Sequence, residues 1–191
     1  MPPTTAYTPD YFKPTVPNPY PGSFERITDF VYERRLVLAR EPKALVDAEK
    51  RGVSYVVAEP YPVRFKVDGV ERRLIVPAGM LTDLVSVPRV LRSLVGRVGP
   101  HLEAAIVHDY LYVAWQLMED DEARLDDWRF ANEVMYAGLE AAGVGGFLGW
   151  SIRTALSRRF ISWPVYAGRD GSQFVRLDPR FAAAPEETGL V

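Results

Sequence analysis

The sequence predicts an α+β fold, in which a small antiparallel β-sheet in the N-terminal half packs on three to four helices in the C-terminal half. Apolar and polar residues alternate between about residues 27 and 77, as in half-buried strands, whereas apolar residues recur every three to four positions after Pro77, as in amphipathic helices. A third observation concerns the ends of the chain. Seven of the 16 prolines lie within the first 23 residues, which predicts an extended arm there.

Length and composition restrict the classes of protein that the chain can belong to. Its 191 residues fit one domain, which we place at residues 24–180, between an arm at 1–23 and a tail at 181–191. A net charge of −2 indicates no nucleic-acid partner, and the absence of cysteine excludes disulfides, thiolate catalysis and cysteine-ligated zinc. No apolar run reaches the ~18 residues of a transmembrane helix, and the first residues do not resemble a signal peptide.

The N-terminal arm interleaves its prolines with four aromatic residues. Proline at this density favours extended or polyproline II backbone, which makes few hydrogen bonds of its own. Two interpretations stay open: the arm packs on its own domain, or it binds a neighbouring subunit. The second would make the aromatic residues a partner-binding arm, and the same reasoning extends to the C-terminal tail. These residues are Tyr7, Tyr11, Phe12 and Tyr20.

Four segments between residues 27 and 77 predict the strands: DFVYERRLVLA, VSYVVAE, YPVRFKV and VERRLIVP. The Asp68-Gly69 pair between the last two predicts a hairpin, because a two-residue turn needs positive φ. Alternation then places Val63, Phe65 and Val67 on one face of the sheet. This face is expected to meet the helices.

Capping and turn residues predict the helices. A short helix should lie between Pro42 and Gly52, in the middle of the strand region, and the others should follow Pro77. Beyond the last helix, the Asp170-Gly171 pair predicts a turn that introduces a late strand. The predicted later helices run from Ser86 to Gly96, from about Pro100 to 117, from Asp120 or Asp121 to Gly143, and from 146 to 158.

The segment AAIVHDYLY places His108 on an apolar, small-residue stripe of its helix. Asp127 begins a comparable stripe on the next helix, and a short loop makes the two helices antiparallel neighbours. At 1.5 Å per residue, His108 lies ~10 to 13 Å from that loop and Asp127 ~8 to 9 Å, so their side chains can meet. A histidine oriented by a carboxylate is the arrangement of a general base. His101, at the start of the helix, is expected to be exposed and without a role.

Asp109 points to a different side of the same helix and could bind a hard cation together with Asp83. The competing interpretation is structural. A buried histidine satisfied by a carboxylate and a tyrosine hydroxyl is a common core arrangement, and Asp83 could equally hold turn amides. The segment before the helix has the same two interpretations, with Thr82 and Ser86 either lining a pocket or forming turn and cap contacts. Both interpretations stay open at this point.

Three ordered motifs resemble a family of unknown function from tailed phages and prophages: VPAGMLTDLVSVPR, then EAAIVHDYLY, then a helix with Asp-x-x-Phe. The resemblance covers about residues 53–145. It implies a virion component, associated with the tail and made in the host cytoplasm, with other tail or baseplate proteins or copies of itself as partners. The motifs place the resemblance on Pro77, Gly79, Thr82, Asp83, Ser86, Pro88, His108, Asp109, Tyr112, Asp127 and Phe130.

A second resemblance is to the helix pair of phospholipase A2, in which a His-Asp-x-x-Tyr helix faces a helix bearing an aspartate. His108, Asp109, Tyr112 and Asp127 match this pattern in order and type, although the chain has no counterpart of the glycine-rich calcium loop. The resemblance implies a hydrolase of envelope lipid or cell wall. In it, His108, Asp127 and Tyr112 would be catalytic, and Asp109 with Asp83 would hold Ca²⁺ or another divalent cation. Virion component and hydrolase are the two functional expectations.

Overall fold

The computed structural model describes residues 10–40, 55–82, 99–120, 122–168 and 174–176. Some predictions lie outside these ranges, namely the short helix over 42–52, the helix that starts at Ser86, the Asp170-Gly171 turn and the tail at 181–191. Four predicted functional residues also lie outside the described ranges: Tyr7, Asp83, Ser86 and Pro88.

The described residues form an α+β fold, as predicted, with strands in the N-terminal half and helices in the C-terminal half. The strands are β1 (Ile27–Tyr32), β2 (Leu38–Arg40), β3 (Tyr55–Val57), β4 (Tyr61–Val67), β5 (Val70–Val76) and β6 (Leu81–Thr82). They make two three-stranded antiparallel sheets, ordered β1-β4-β5 and β2-β3-β6, instead of the single predicted sheet. The helices are α1 (Leu102–Ala114), continued by a 3-10 turn (Trp115–Leu117), α2 (Leu125–Ala141), α3 (Gly146–Ser157) and α4 (Arg159–Ala167).

The β4–β5 hairpin is as predicted. Asp68 and Gly69 have φ of 51° and 83°, the two positive values that a two-residue turn of matching twist requires. Val63, Phe65 and Val67 are all buried on the face that meets the helices. The Asp68-Gly69 pair therefore predicted where the chain turns, and the alternation of apolar residues predicted the buried face of the hairpin.

Helices α1 and α2 approach each other closely, as their small residues predict. A Cβ atom added at Gly138 would lie 3.1 Å from the Cβ of Ala104 and 2.9 Å from the hydroxyl of Tyr32. That hydroxyl donates a hydrogen bond of 2.8 Å to the carbonyl of Gly138. Glycine at this position therefore brings the β1 strand and both helices together.

Helix α2 begins at Leu125, and the prediction of a start at Asp120 or Asp121 is wrong. Arg124 precedes the helix in extended conformation, with φ −108° and ψ 145°. The side chain of Asp120 forms an ion pair with Arg124, the residue at the N-cap position, and does not itself cap the helix. The far end is as predicted, since Gly143 follows the helix with φ of 70°.

Helix α4 was missed, because Pro164 lies within it. Proline in a helix interior removes a hydrogen bond and normally predicts a break, yet this helix runs on to Ala167. In place of the predicted late strand, Phe174 and Val175 make single antiparallel bridges, to Met80 and Tyr11 respectively.

The described part of the N-terminal arm packs on its own domain. Tyr20 is 7% exposed, and its hydroxyl donates to the carbonyl of Leu111 and accepts from the amide of Trp115 at 3.1 Å. It thereby binds the backbone where α1 passes into the 3-10 turn. Tyr20 is a core residue, which corrects its assignment to a partner-binding arm.

The start of the arm is joined to the far end of the described chain. The amide of Phe12 donates to the carbonyl of Phe174 at 3.0 Å, and the amide of Arg176 donates to the carbonyl of Asp10 at 2.8 Å. The rings of Phe12 and Phe174 meet edge to face, with centroids 6.2 Å apart. Phe12 therefore also contacts its own domain, while Tyr11 keeps 39% of its surface exposed.

His101 is 3% exposed, so the prediction that it is a surface residue is wrong. A Cβ atom at Gly99 would lie 2.9 Å from the Cε1 atom of His101, which shows that the imidazole folds back on the chain before α1. None of the described helices combines the length and apolar content that crossing a bilayer requires.

Candidate functional site

His108 lies on α1 with 2% of its surface exposed. Its Nε2 atom is 3.0 Å from the Oδ1 atom of Asn132 on α2. Its ring also contacts that of Tyr112, one turn further along α1, with centroids 4.0 Å apart. The predicted two-helix arrangement around the histidine is present, but its partner on α2 is an amide.

Asn132 is the centre of a buried polar network, and its contacts fix the orientation of its amide. The Nδ2 atom donates to the carbonyl of Leu156 at 3.4 Å, and a carbonyl can only accept. The Oδ1 atom accepts from the hydroxyl of Tyr112 at 2.9 Å and from Nε2 of His108. Nε2 of His108 therefore carries a proton, so that in a neutral ring Nδ1 is the basic nitrogen.

Asp127 is not the partner of His108: no hydrogen bond or ion pair between described residues joins the two. The late start of α2 explains the difference. Asp127 lies two residues into α2, ~3 Å from its start, whereas Asn132 lies seven residues in, at ~10 Å. His108 lies nine residues before Leu117, ~13 Å from the end of its helix. Measured from the loop between the two helices, His108 on α1 therefore lies level with Asn132 on α2 and not with Asp127.

Asn132 was missed by sequence reasoning because it lies off the apolar stripe that Asp127 begins. The buried face of α2 is wider than one stripe, since α2 packs on α1 and on α3 at once. The available signal was the run RFANEVM, in which a neutral polar residue is surrounded by core residues.

Asp127 is nevertheless buried, with 8% of its surface exposed. Burial raises the pKa of its carboxyl to about 6, and the charges of Asp120 and Asp126 add to that rise. Arg124 lowers the pKa, but by less than burial raises it. An aspartate of this kind is half protonated near pH 6, well above its ordinary range.

The free energy of unfolding should depend on this carboxyl. In the unfolded chain Asp127 loses its proton near pH 4, whereas in the folded protein it keeps the proton up to about pH 6. The folded state therefore binds more protons between these two values, and the free energy of unfolding falls as the pH rises from about 4 to about 6. Replacing Asp127 by asparagine should therefore raise the free energy of unfolding at pH 8, relative to pH 4, by roughly 1 to 3 kcal/mol. Urea unfolding of both proteins from pH 4 to pH 8 measures this.

Asp126→Asn is the comparison variant, because it removes an exposed charge from the same helical turn and takes away only a smaller contribution to the raised pKa of Asp127. If both variants change the pH profile equally, the burial of Asp127 is not the cause.

Asp109 is 1% exposed and accepts a hydrogen bond of 3.1 Å from the hydroxyl of Thr82. This contact ties α1 to strand β6. Asp83, its predicted partner in holding a cation, lies outside the described residues. Within the described part of the chain, no group of three or more histidine, aspartate or glutamate residues could hold a metal ion.

The remaining described motif residues have structural positions. Gly79 has φ of 88° and is held on both sides, its amide donating to Val57 at 2.8 Å and its carbonyl accepting from Val175 at 2.9 Å. Phe130 is fully buried, and its ring meets those of Tyr20 and Phe65. Pro77 follows β5 and is half-buried. For Gly79 the structure gives the tight bend that one interpretation of this segment predicted.

Asn132 also borders a surface cleft of about 350 Å³, which is lined by α2 and by the junction of α3 and α4. Its other lining residues are Leu125, Trp128, Arg129, Glu133, Tyr136, Ser157 and Arg159.

Comparison with known protein families adds one finding. A family model described as "Protein of unknown function (DUF1353)" matches residues 55–155, just over half of the chain. The chain belongs to the DUF1353 family. The DUF1353 match runs from β3 into α3 and contains Gly79, Thr82, His108, Asp109 and Asn132. No curated protein and no solved structure matches the chain significantly.

Proposed function

We propose that this DUF1353 protein is a non-catalytic virion component of a tailed phage or prophage, associated with the tail. One observation carries the non-catalytic part: His108 and Asp109 are 2% and 1% exposed, and each side chain bonds another element of the fold. The phage part rests on the resemblance of the three motifs.

The two residues join α1 to two different elements of the fold. His108 connects α1 to α2 through Asn132, and Asp109 connects α1 to β6 through Thr82. Hydrogen bonds between buried polar side chains specify which elements pack together. The His-Asp pair then serves as the polar centre of the scaffold, which accounts for its presence without any turnover.

In this proposal the segments nearest the two ends of the sequence bind the neighbouring virion proteins. Residues 10–23 contact their own domain, through Phe12 and Tyr20 among others. Residues 1–9 and 177–191 lie outside the described residues, and Tyr7 belongs to the first of them. These two segments are the proposed contacts with tail or baseplate proteins or with other copies of the chain.

Two deletions test this function. Removing residues 1–9 should lower incorporation into particles while the protein stays folded, because residues 10–23 keep the contacts that Phe12 and Tyr20 make with the domain. Removing residues 1–22 should unfold the protein, because it takes away Tyr20 and Phe12, and loss of one buried aromatic side chain costs about 3 to 5 kcal/mol. Particle composition and circular dichroism give the two measurements.

Removal of residues 177–191 is the companion variant for the second segment. Normal incorporation of both short deletions would show that the docking proposal is wrong. Measured turnover of envelope lipid or peptidoglycan by the wild-type protein would contradict the non-catalytic role.

The hydrolase is the second candidate function, and the orientation of His108 favours it. Asn132 fixes the protonated Nε2 atom, so Nδ1 is a defined base, and Asn132 borders the cleft of about 350 Å³. Such a fixed ring is what general-base catalysis on an envelope lipid or cell-wall substrate requires. In this case His108→Gln should abolish hydrolysis while the protein remains folded. Loss of turnover only in variants that also unfold would count against it.

A further inference from the structure

Helices α3 and α4 expose large apolar side chains to solvent. The exposed fractions are 67% for Phe147, 62% for Trp150, 74% for Phe160 and 54% for Val165. We refer to these four residues as the α3–α4 face. A monomeric protein rarely gathers exposed aromatic residues in this way unless the surface contacts something.

The exposure follows from the packing of α3. Ile152 and Leu156 lie on the buried side of the helix, where they belong to a hydrophobic cluster with Met135 and Leu139 of α2. Phe147 and Trp150, three residues apart, lie together on the opposite side, with ring centroids 5.9 Å apart. Helix α3 is thus apolar on two sides, of which only one is covered by the domain.

The charged side chains of α3 and α4 themselves have one sign: residues 146–167 contain three arginines and neither aspartate nor glutamate, although the whole chain has a net charge of −2. The acidic residues beside them, Glu133 and Glu140, belong to α2, where Glu140 lines a cleft with Trp150 and Arg153. Arg153 lies over the ring of Tyr136 at 4.6 Å, and Arg159 lies 5.8 Å from the ring of Trp163. No ion pair between described residues uses Arg153, Arg158 or Arg159.

We propose that the α3–α4 face docks on an anionic lipid surface. Exposed aromatic side chains beside arginines match the apolar and charged layers of a bilayer interface, where tryptophan and phenylalanine lie at headgroup level and arginine meets phosphate. The helices would lie in the plane of the interface. A second copy of the chain fits less well, because a two-fold contact would bring like-charged arginines together.

The partner therefore has two properties, negative charge and an apolar layer that aromatic rings can enter. This proposal does not depend on the proposed virion role. Its test uses vesicles alone, so that failure here and failure of particle incorporation are separate results.

Vesicles of phosphatidylglycerol and phosphatidylcholine provide the test, with pure phosphatidylcholine vesicles for comparison. The full chain should sediment with the anionic vesicles, and its fluorescence should shift to the blue, because Trp150 is the tryptophan with the most exposed side chain among the described residues. Trp150→Phe should remove most of the shift and retain most of the binding. Raising the salt concentration should weaken binding, since exposed charges are screened.

Two pairs of variants identify the surface. Phe147→Gln with Trp150→Gln should reduce binding more than tenfold, whereas Val70→Gln, at a residue 64% exposed on the hairpin, should not change it. Arg158→Gln and Arg159→Gln should each reduce binding roughly fivefold, the effect of one basic residue near an anionic membrane. Arg72→Gln, exposed on β5, is their control.

Circular dichroism establishes that the variants are folded. The proposal is overturned if the wild-type protein does not bind anionic vesicles, if neutral vesicles bind it equally, or if the control variants lose as much binding as the face variants. Concentration-dependent self-association that Phe147→Gln with Trp150→Gln abolishes would also overturn it, since a second copy would then cover the face.

Discussion

Replacing Asn132 by leucine is expected to lower the free energy of unfolding by about 3 to 5 kcal/mol. The substitution places an apolar side chain of similar size in a site that is 4% exposed. It removes the acceptor of the His108 and Tyr112 donors and the donor to the Leu156 carbonyl. Each buried polar group that loses its partner costs about 1 to 3 kcal/mol, which is more than a hydrogen bond contributes when it is present. Equilibrium unfolding in urea measures the loss.

Met135→Leu is the control, because Met135 is buried on the same helix and the exchange of one apolar side chain for another costs less than about 1.5 kcal/mol. Tyr112→Phe completes a double-mutant cycle with Asn132→Leu. The two effects should not add, because both substitutions remove the same hydrogen bond. A loss below about 1 kcal/mol for Asn132→Leu would show that the network does not stabilise the helix pair.

Replacing Gly79 by alanine is expected to lower the free energy of unfolding by about 2 to 4 kcal/mol. Two effects combine at this position. With φ of 88°, any residue with a Cβ atom is strained, and the added atom would lie 2.4 Å from the carbonyl oxygen of Val175 and 3.1 Å from the ring of Phe12. Relief of that clash would displace the segment that receives the N-terminal arm. Thermal unfolding and amide hydrogen exchange of residues 10–12 measure the two consequences.

Gly69→Ala separates the two effects. Gly69 has nearly the same φ, 83°, but nothing lies within 4 Å of a Cβ atom added there. Its substitution should cost only the backbone strain, about 1 kcal/mol. Equal losses in the two variants would show that the contact with Val175 is not important.

Local chemistry predicted the parts of the fold that depend on neighbouring residues. The Asp68-Gly69 turn needs only two positive φ values, and the alternation on β4 assigns Val63, Phe65 and Val67 to the buried face. The end of α2 at Gly143 follows from the same kind of reasoning. In these cases the sequence pattern and the packed structure favour the same conformation.

The misassigned parts depend on distant residues. Asn132 pairs with His108 because α2 starts three to four residues later than its acidic cap residues suggest. Tyr20 enters the core through contacts 91 residues away along the chain, which no periodicity reveals. Helix α4 continues through Pro164, an exposed proline at which the sequence alone predicts a break. The helix pair was therefore predictable, but the residue that meets the histidine was not.

The bonds between residues 10–12 and residues 174–176 have a consequence for the order of folding. Phe12 and Asp10 find their backbone partners only in Phe174 and Arg176, more than 160 residues later along the chain. During synthesis residues 10–12 leave the ribosome long before residues 174–176. The helices and sheets can then assemble earlier, and the contact between the two ends forms as a final step, of the long-range kind that folds slowly.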